Sequence, residues 1–393
     1  MKSKRIWGLL GMKCEWKTFK IGDVVDIRRG ASPRPIQKFL APKGMPWVKI
    51  ADATSDTSRY ITKTNQFIIT EGVSKSVKVE PETLIISNSA TPGLPKIMKI
   101  TACVHDGWLI FSNYRDINRD FLYYKFISIR QKLVSQANGS VFQNLKTDIV
   151  RDFDIAVPDI KTQNKIVSIL SSIDDKIELN DKINNNLEQQ AQALFKSWFI
   201  DFEPFNNQKP SDWTISTLGN VSLMGAGGDK PKNISQTKTE VYQYPIYSNG
   251  LSNKGLYGFT DKAKIYEESV TVSARGTIGF VCLRHVPYVP IVRLVTLVPK
   301  VEIISAKYLY LWLNQLHITG TGTTQQQLTV PDFQKTEILV PTQKIVTYFT
   351  SIVEPIFEKI WANQIENEKL SSLRDTLLPK LMSGELDVSE IDL

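Results

Sequence analysis

The stretch from Ile160 to Phe202 limits this chain more than any other. Its apolar residues Ile166, Leu170, Ile173, Ile177, Leu187, Ala191, Leu194 and Trp198 recur in alternating steps of four and three, the spacing of a heptad seam. The two seam positions left in the middle are Asn180 and Asn184, and no proline interrupts the run from Lys161 to Glu203. Some forty helical residues make a rod of roughly 60 Å, longer than one globular core needs. The rod recurs at the C-terminus, where Ile345, Phe349, Ile352, Ile356, Leu370, Leu373 and Leu377 keep the alternation 179 positions later. Lys359 and Asn363 repeat the polar interruption, a device that fixes register at some cost in stability. Two such helices bury their seams most economically against each other.

A globular segment precedes each rod, and the two begin and end alike. Glu15-Trp16-Lys17-Thr18-Phe19-Lys20-Ile21-Gly22 returns as Asp212-Trp213-Thr214-Ile215-Ser216-Thr217-Leu218-Gly219, and Asp154-Ile155-Ala156-Val157-Pro158 returns as Glu337-Ile338-Leu339-Val340-Pro341. Each proline closes a short strand just before its rod. Between these bookends the segments share little, so the frame does one job twice while the contents recognise different things. The expected fold is α+β: two mixed α/β domains joined by two long antiparallel coiled-coil-like helices, in a pseudo-two-fold internal repeat. The boundaries fall at 1–158, 159–204, 205–341 and 342–393.

Inside the first segment, strands are expected at 24–27, 47–50, 67–70, 83–87 and 108–111, with a helix over 119–136. In the second they are expected at 263–266, 270–274, 280–283 and 294–298, with a helix over 305–316. The aromatics of these helices, such as Tyr124 and Tyr308, have the spacing of core residues.

The net charge of +8 is unevenly placed. Residues 1–158 hold 25 Lys+Arg against 14 Asp+Glu, and residues 205–341 hold 13 against 9. The rods are acidic, with 5 against 8 over 159–204 and 5 against 9 over 342–393. This division of charge suits the globular segments, rather than the helices, to face a polyanion such as nucleic acid. Three scattered cysteines, Cys14, Cys103 and Cys282, suit neither a disulfide framework nor a zinc site and point to the cytoplasm. Trp7–Leu10 is too short for a signal peptide, no run is long enough to cross a membrane, and Met12 is a second candidate start.

Catalytic signatures are scarce. No Gly-Lys dipeptide occurs, which excludes a Walker A loop, and no Pro-Pro pair occurs, which excludes the loop that amino-methyltransferases use on bases. The three histidines stand alone, so no metal site is expected. Asp159 with Asp174-Asp175-Lys176 fits a nuclease pattern loosely, but these residues belong to a solvated helix face. No catalytic residue is assigned.

Loops carry the candidate contacts. Arg28, Arg29 and Arg34 put three guanidinium groups beside a strand end, able to grip phosphates or a guanine edge. Ser87, Asn88, Ser89 and Thr91 let a backbone approach closely, and the amides of Gln143 and Asn144 suit adenine edges. In the second segment Asn249, Arg275, Thr277, Thr323, Gln325 and Gln326 occupy comparable places. Lys49, Lys230, Lys232 and Lys254 complete the set as cations for the DNA backbone.

At the rod ends, Ala193-Leu194-Phe195-Lys196-Ser197-Trp198-Phe199-Ile200-Asp201-Phe202-Glu203-Pro204 and Leu373-Arg374-Asp375-Thr376-Leu377-Leu378-Pro379-Lys380-Leu381-Met382-Ser383-Gly384 resemble the specificity subunit of type I restriction-modification systems. So do Pro158 with Gln163-Asn164-Lys165-Ile166, Pro341 with Gln343-Lys344-Ile345, and the loop Ser273–Gly279. The likeness covers essentially the whole chain. It implies two target recognition domains, each reading one half of a split DNA target, with helices that set the spacer and dock partners. It also implies two modification subunits bringing S-adenosylmethionine, and restriction subunits bringing ATP- and Mg²⁺-dependent translocation and cleavage. No cofactor is then expected in this chain. The competing expectation is a non-enzymatic helical adaptor that binds protein partners.

Overall fold

The structure, a computed structural model, describes residues 15–54, 58–136, 144–320, 327–388 and 391. The chain divides into two compact units, residues 1–180 with 365–393 and residues 181–364. Each unit contains one α/β head and a half of each long helix, Ile160–Phe199 and Gln343–Ser383.

The bookends of each repeat pair with one another. Lys17–Lys20 runs antiparallel to Asp154–Val157, with Lys17 opposite Val157. Thr214–Thr217 runs antiparallel to Glu337–Val340, with Thr214 opposite Val340. The residues that open and close each head in sequence thus close it in space, directly ahead of the helix.

The first head contains a five-stranded sheet in the order Asp26–Arg29, Trp108–Ser112, Leu84–Ser87, Pro95–Met98, Tyr60–Ile61. Leu84, Ile85 and Ile86 are all fully buried, because both sheet faces are covered. Leu84, Ile86, Leu109 and Phe111 pack with Phe121 and Phe126 of the helix Arg119–Gln136. Ile85, Trp108 and Ile110 turn the other way, towards Val48 and Val104 of a second five-stranded sheet.

The second head keeps the equivalent sheet with four strands: Ser222–Ala226, Val295–Pro299, Ser269–Val272 and Val281–Arg284. Val270, Val272 and Leu297 pack with Tyr308, Leu309 and Leu311 of the helix Ala306–Gln315. Ser305 caps that helix, its Oγ accepting from the Tyr308 N–H at 3.1 Å. A three-stranded sheet, Leu256–Thr260, Tyr244–Tyr247 and Val289–Pro290, takes the place of the first head's second sheet.

Within each unit the long helices run antiparallel. In the first, Arg374 donates to Asp174 at 2.9 Å, and the Asn180 amide donates to Glu366 at 2.8 Å and Asn367 at 2.9 Å. In the second, the Asn363 amide donates to Asn184 Oδ1 at 2.8 Å. The three seam asparagines, Asn180, Asn184 and Asn363, are therefore buried and bonded to the opposite helix, whereas the fourth polar seam position, Lys359, is exposed.

The apolar seam is broader than a heptad stripe. Ile166, Leu170, Ile173 and Phe349 are buried, whereas Ile177, Leu187, Leu194, Trp198, Ile345, Ile352, Ile356, Leu370 and Leu377 are half-buried and Leu373 is 48% exposed. The second helix also buries Val346, Val353, Phe357, Ile360, Leu378, Leu381 and Met382, which the heptad count did not pick out. These helices pack on their own head as well as on each other, so the buried face widens and turns by about one residue from a two-helix seam.

Two expected strands differ. Ile21–Val24 forms a helical turn whose Ile21 and Val24 reach the core, so the strand begins only at Asp26. Residues 263–266 form no strand; a single bridge joins Ile265 to Tyr288.

Candidate nucleic-acid interface

Hydrogen bonds join the loops around Arg29, Arg34 and Asn88 in the first head and those around Asn249 and Arg275 in the second, and the two sets share a hydrogen-bond frame. In the first head the loop after Leu84–Ser87 closes with the Gly93 N–H on the Ser87 carbonyl at 2.7 Å, and the Leu145 N–H meets the Asn88 carbonyl at 2.7 Å. In the second, the Gly279 N–H meets the Ser273 carbonyl at 3.0 Å, and the Leu328 N–H meets the Ala274 carbonyl at 3.0 Å. A turn stands beside each loop. One is closed by the Trp108 N–H on His105 at 3.2 Å, the other by the Leu294 N–H on Ile291 at 3.1 Å. A glycine abuts each turn: a Cβ on Gly30 would stand 2.2 Å from the His105 carbonyl oxygen, and one on Gly227 2.8 Å from Ile291 backbone atoms.

The side chains on this frame differ. In the first head Asp106 is the hub. Its carboxylate accepts from Ser32 Oγ at 2.6 Å and from Arg34 at 3.3 Å, and its carbonyl accepts from Arg29 Nε at 2.7 Å and Asn88 Nδ2 at 3.0 Å. The Ser32 hydrogen bond chiefly holds this carboxyl below its ordinary range, so it stays charged. The Arg34 side chain is nevertheless 81% exposed, free to exchange this partner for another anion. Arg28 is exposed and donates to the Lys78 carbonyl at 3.4 Å. Ser87 and Asn88 are buried and build the loop; Ser89, Thr91 and Lys49 are half-buried, and Asn144 is exposed.

In the second head Asn249 is the hub. Its Oδ1 accepts from the Ala274 N–H at 2.7 Å, and its Nδ2 donates to the Val292 carbonyl at 2.5 Å. Val292 and Arg293 take consecutive left-handed conformations, with φ of 52° and 63°. For a β-branched residue this is a strained backbone, costing about 1–3 kcal/mol. Arg275 is exposed and donates to Gln327 Oε1 at 2.9 and 3.2 Å, while the buried Thr277 hydroxyl has no partner among the described residues. Lys254 is exposed, its carbonyl held by the buried Arg284 at 2.7 Å, and Arg284 lies 3.6 Å over the Tyr247 ring. Lys230 and Lys232 are exposed. Gln143, Thr323, Gln325 and Gln326 lie outside the described residues.

Two rim residues escaped the sequence reading. Asp106 carried a signal, the Asp-Gly turn dipeptide. Arg293 carried none, since Val-Arg has no turn chemistry.

The acidic residues of the nuclease-like pattern hold the helices in place. Asp159 caps the first long helix, accepting from the Lys161 N–H at 2.9 Å. Asp174 accepts from the Tyr124 hydroxyl at 2.7 Å and from Arg374; Asp175 pairs with the buried Arg59, and Lys176 with Glu366 at 3.4 Å. Among the described residues no three His, Cys, Asp or Glu side chains converge as a metal site, and no helix is long and apolar enough to cross a membrane.

A family model described as the type I restriction modification DNA specificity domain matches the chain twice, over residues 13–189 and 210–369. The chain is 28% identical to the type I restriction enzyme MjaIX specificity subunit of Methanocaldococcus jannaschii, over 96% of this chain and 95% of that one. It is 26% identical to the HindI specificity subunit of Haemophilus influenzae, over 95% of this chain and 100% of that one. The fold is similar to that of a type I restriction-modification S subunit from M. genitalium, with a TM-score of 0.58, 16% identity, and 95% and 98% of the two chains covered.

Proposed function

Because the chain belongs to the type I restriction-modification DNA specificity family, we propose that it is the DNA-recognition subunit of such a system, each head reading one half of a split duplex target. One observation carries this reading: two heads keep a common hydrogen-bond frame at the rim and mount unlike side chains on it, as two readers of unlike half-sites require. Exposed Arg28, Arg34, Lys230, Lys232, Lys254 and Arg275 supply the positive charge for phosphates and base edges.

In the same reading the long helices set the spacing of the half-sites and dock two modification subunits. S-adenosylmethionine, ATP and Mg²⁺ belong to the modification and restriction subunits, and the assembly works in the cytoplasm. A salt titration of duplex binding tests it. A DNA reader loses affinity steeply and linearly on a log–log plot, with a slope of about −0.9 per phosphate contact, and prefers one sequence over its scrambled form. A protein-binding adaptor shows neither behaviour.

A further inference from the structure

The turn Ile291–Leu294 is built in a costly way that its structural task does not require. The corresponding turn of the first head uses Asp106-Gly107 without left-handed backbone. Here Val292 and Arg293 are both left-handed, and the turn is pinned on every side. The Val292 N–H donates to Gly228 at 2.9 Å, the Arg293 N–H to Gly227 at 3.0 Å, and the Val292 carbonyl accepts from Asn249. The side chain at the apex is free: Arg293 is exposed, and its guanidinium has no hydrogen-bond or ion-pair partner among the described residues.

Asn249 links this arginine to another. Its amide holds the carbonyl of Val292, the residue before Arg293, and its oxygen holds the N–H of Ala274, the residue before Arg275. One side chain therefore fixes the backbone directly ahead of two exposed arginines. Phosphate binding needs only a cation within reach, and a swaying lysine serves as well. A fixed backbone under an unpaired planar fork suits bidentate recognition instead.

We propose that Arg293 is a specificity-determining residue of the second head, donating through two guanidinium N–H groups to the O6 and N7 of a guanine close to the base pair that Arg275 meets. Asn249 is the positioning residue for both. This rests on the DNA-reading function proposed above.

The test selects bound sequences from a pool of random duplexes with the full chain co-assembled with its host's modification subunits, comparing wild type, Arg293→Ala, Arg293→Lys and Asn249→Ala. The wild type yields a consensus. Both Arg293 variants are expected to lose roughly 5- to 150-fold of the preference for guanine at one position in one half, leaving the other half unchanged. Asn249→Ala blurs that position and its neighbour together. Should Arg293→Lys keep the full consensus while Arg293→Ala weakens all sequences alike and lowers the salt slope by about one, Arg293 is a phosphate contact and the inference falls. Loss of affinity in Asn249→Ala with every position intact removes the positioning role. A wild type that selects no consensus overturns the DNA-reading function itself, which separates that failure from this one.

Discussion

The turns His105–Trp108 and Ile291–Leu294 sit at the same point in the frames of the two heads and carry opposite contents. One presents a carboxylate that collects Ser32 and Arg34; the other presents a bare guanidinium on strained backbone. In the first head the cations come from the neighbouring strand end and its loop, and an acid in the turn orders them. In the second the cation is in the turn, and a neutral amide, Asn249, does the ordering. A backbone hydrogen-bond frame depends little on side chains, so the rim can change sign without changing fold. That separation lets one architecture serve two different readings.

The same contrast runs into the interiors, where it can be broken. The second unit packs its helix halves through aromatic rings: the Phe195 ring centroid lies 5.0 Å from that of Phe199, 5.2 Å from Tyr308, 5.8 Å from Phe349 and 6.3 Å from Trp312. The first unit uses aliphatic residues such as Leu170.

Phe195→Ala is expected to cost about 3–5 kcal/mol and Leu170→Ala about 2–5 kcal/mol. In denaturant melts followed separately in the two units, each substitution should move the transition of its own unit. Equal movement of a single transition by both would show that the units are not energetically distinct.

Each head also buries one lysine on its helix, in contrasting company. Lys307 meets Glu268 at 2.8 Å and Glu354 at 3.0 Å, whereas Lys125 meets only the Met382 carbonyl at 2.9 Å and the face of Trp16 among the described residues. Lys307→Met strands two carboxylates and is expected to destabilise by about 3 kcal/mol in chemical denaturation.

At the rims, Arg34→Ala and Arg275→Ala should each cost about 1–3 kcal/mol at one base pair of a different half-site, measured by competition on altered duplexes. Equal losses on every duplex would make both phosphate contacts.

Lys125→Met has the smallest expected effect, and its sign is opposite to that of Lys307→Met. Burial pushes the Lys125 amine down to about 8 from an ordinary 10.5. Between those values the unfolded chain binds the extra proton, so wild-type stability rises with pH across the window and the burden of the buried charge is full below it. The methionine variant should be about 1–2 kcal/mol more stable at pH 7, once the lost hydrogen bond is deducted, and this advantage should vanish by about pH 10.5. Thermal melts across that range measure it; a variant less stable than wild type at pH 7 would contradict the contrast.

Repetition made much of this readable before any coordinates. The helix Arg119–Gln136 has the expected bounds, and the bookends recognised as repeats turn out to be strand partners. Long periodic patterns and duplicated segments survive because many residues vote for them. The seam shifted towards Val346 and Val353 because a heptad count cannot know that the helix also faces its head. Val24 went into a helical turn because a short apolar run serves either state. At the rim, Ser87 and Asn88 read as small polar residues that let a backbone approach, but their side chains are used within the loop, since side-chain direction at a loop is set by partners elsewhere in the fold. Arg293 had no local signal, because its backbone is imposed by Gly227, Gly228 and Asn249.

The central claim, two heads that read two halves independently, is tested most directly by mapping methylated adenines across the genome of a host carrying this chain with its modification subunits. Wild type should mark a split motif. Arg34→Ala should relax one half alone and Arg275→Ala the other half alone. Both substitutions altering the same half, or either altering both halves together, would contradict the account.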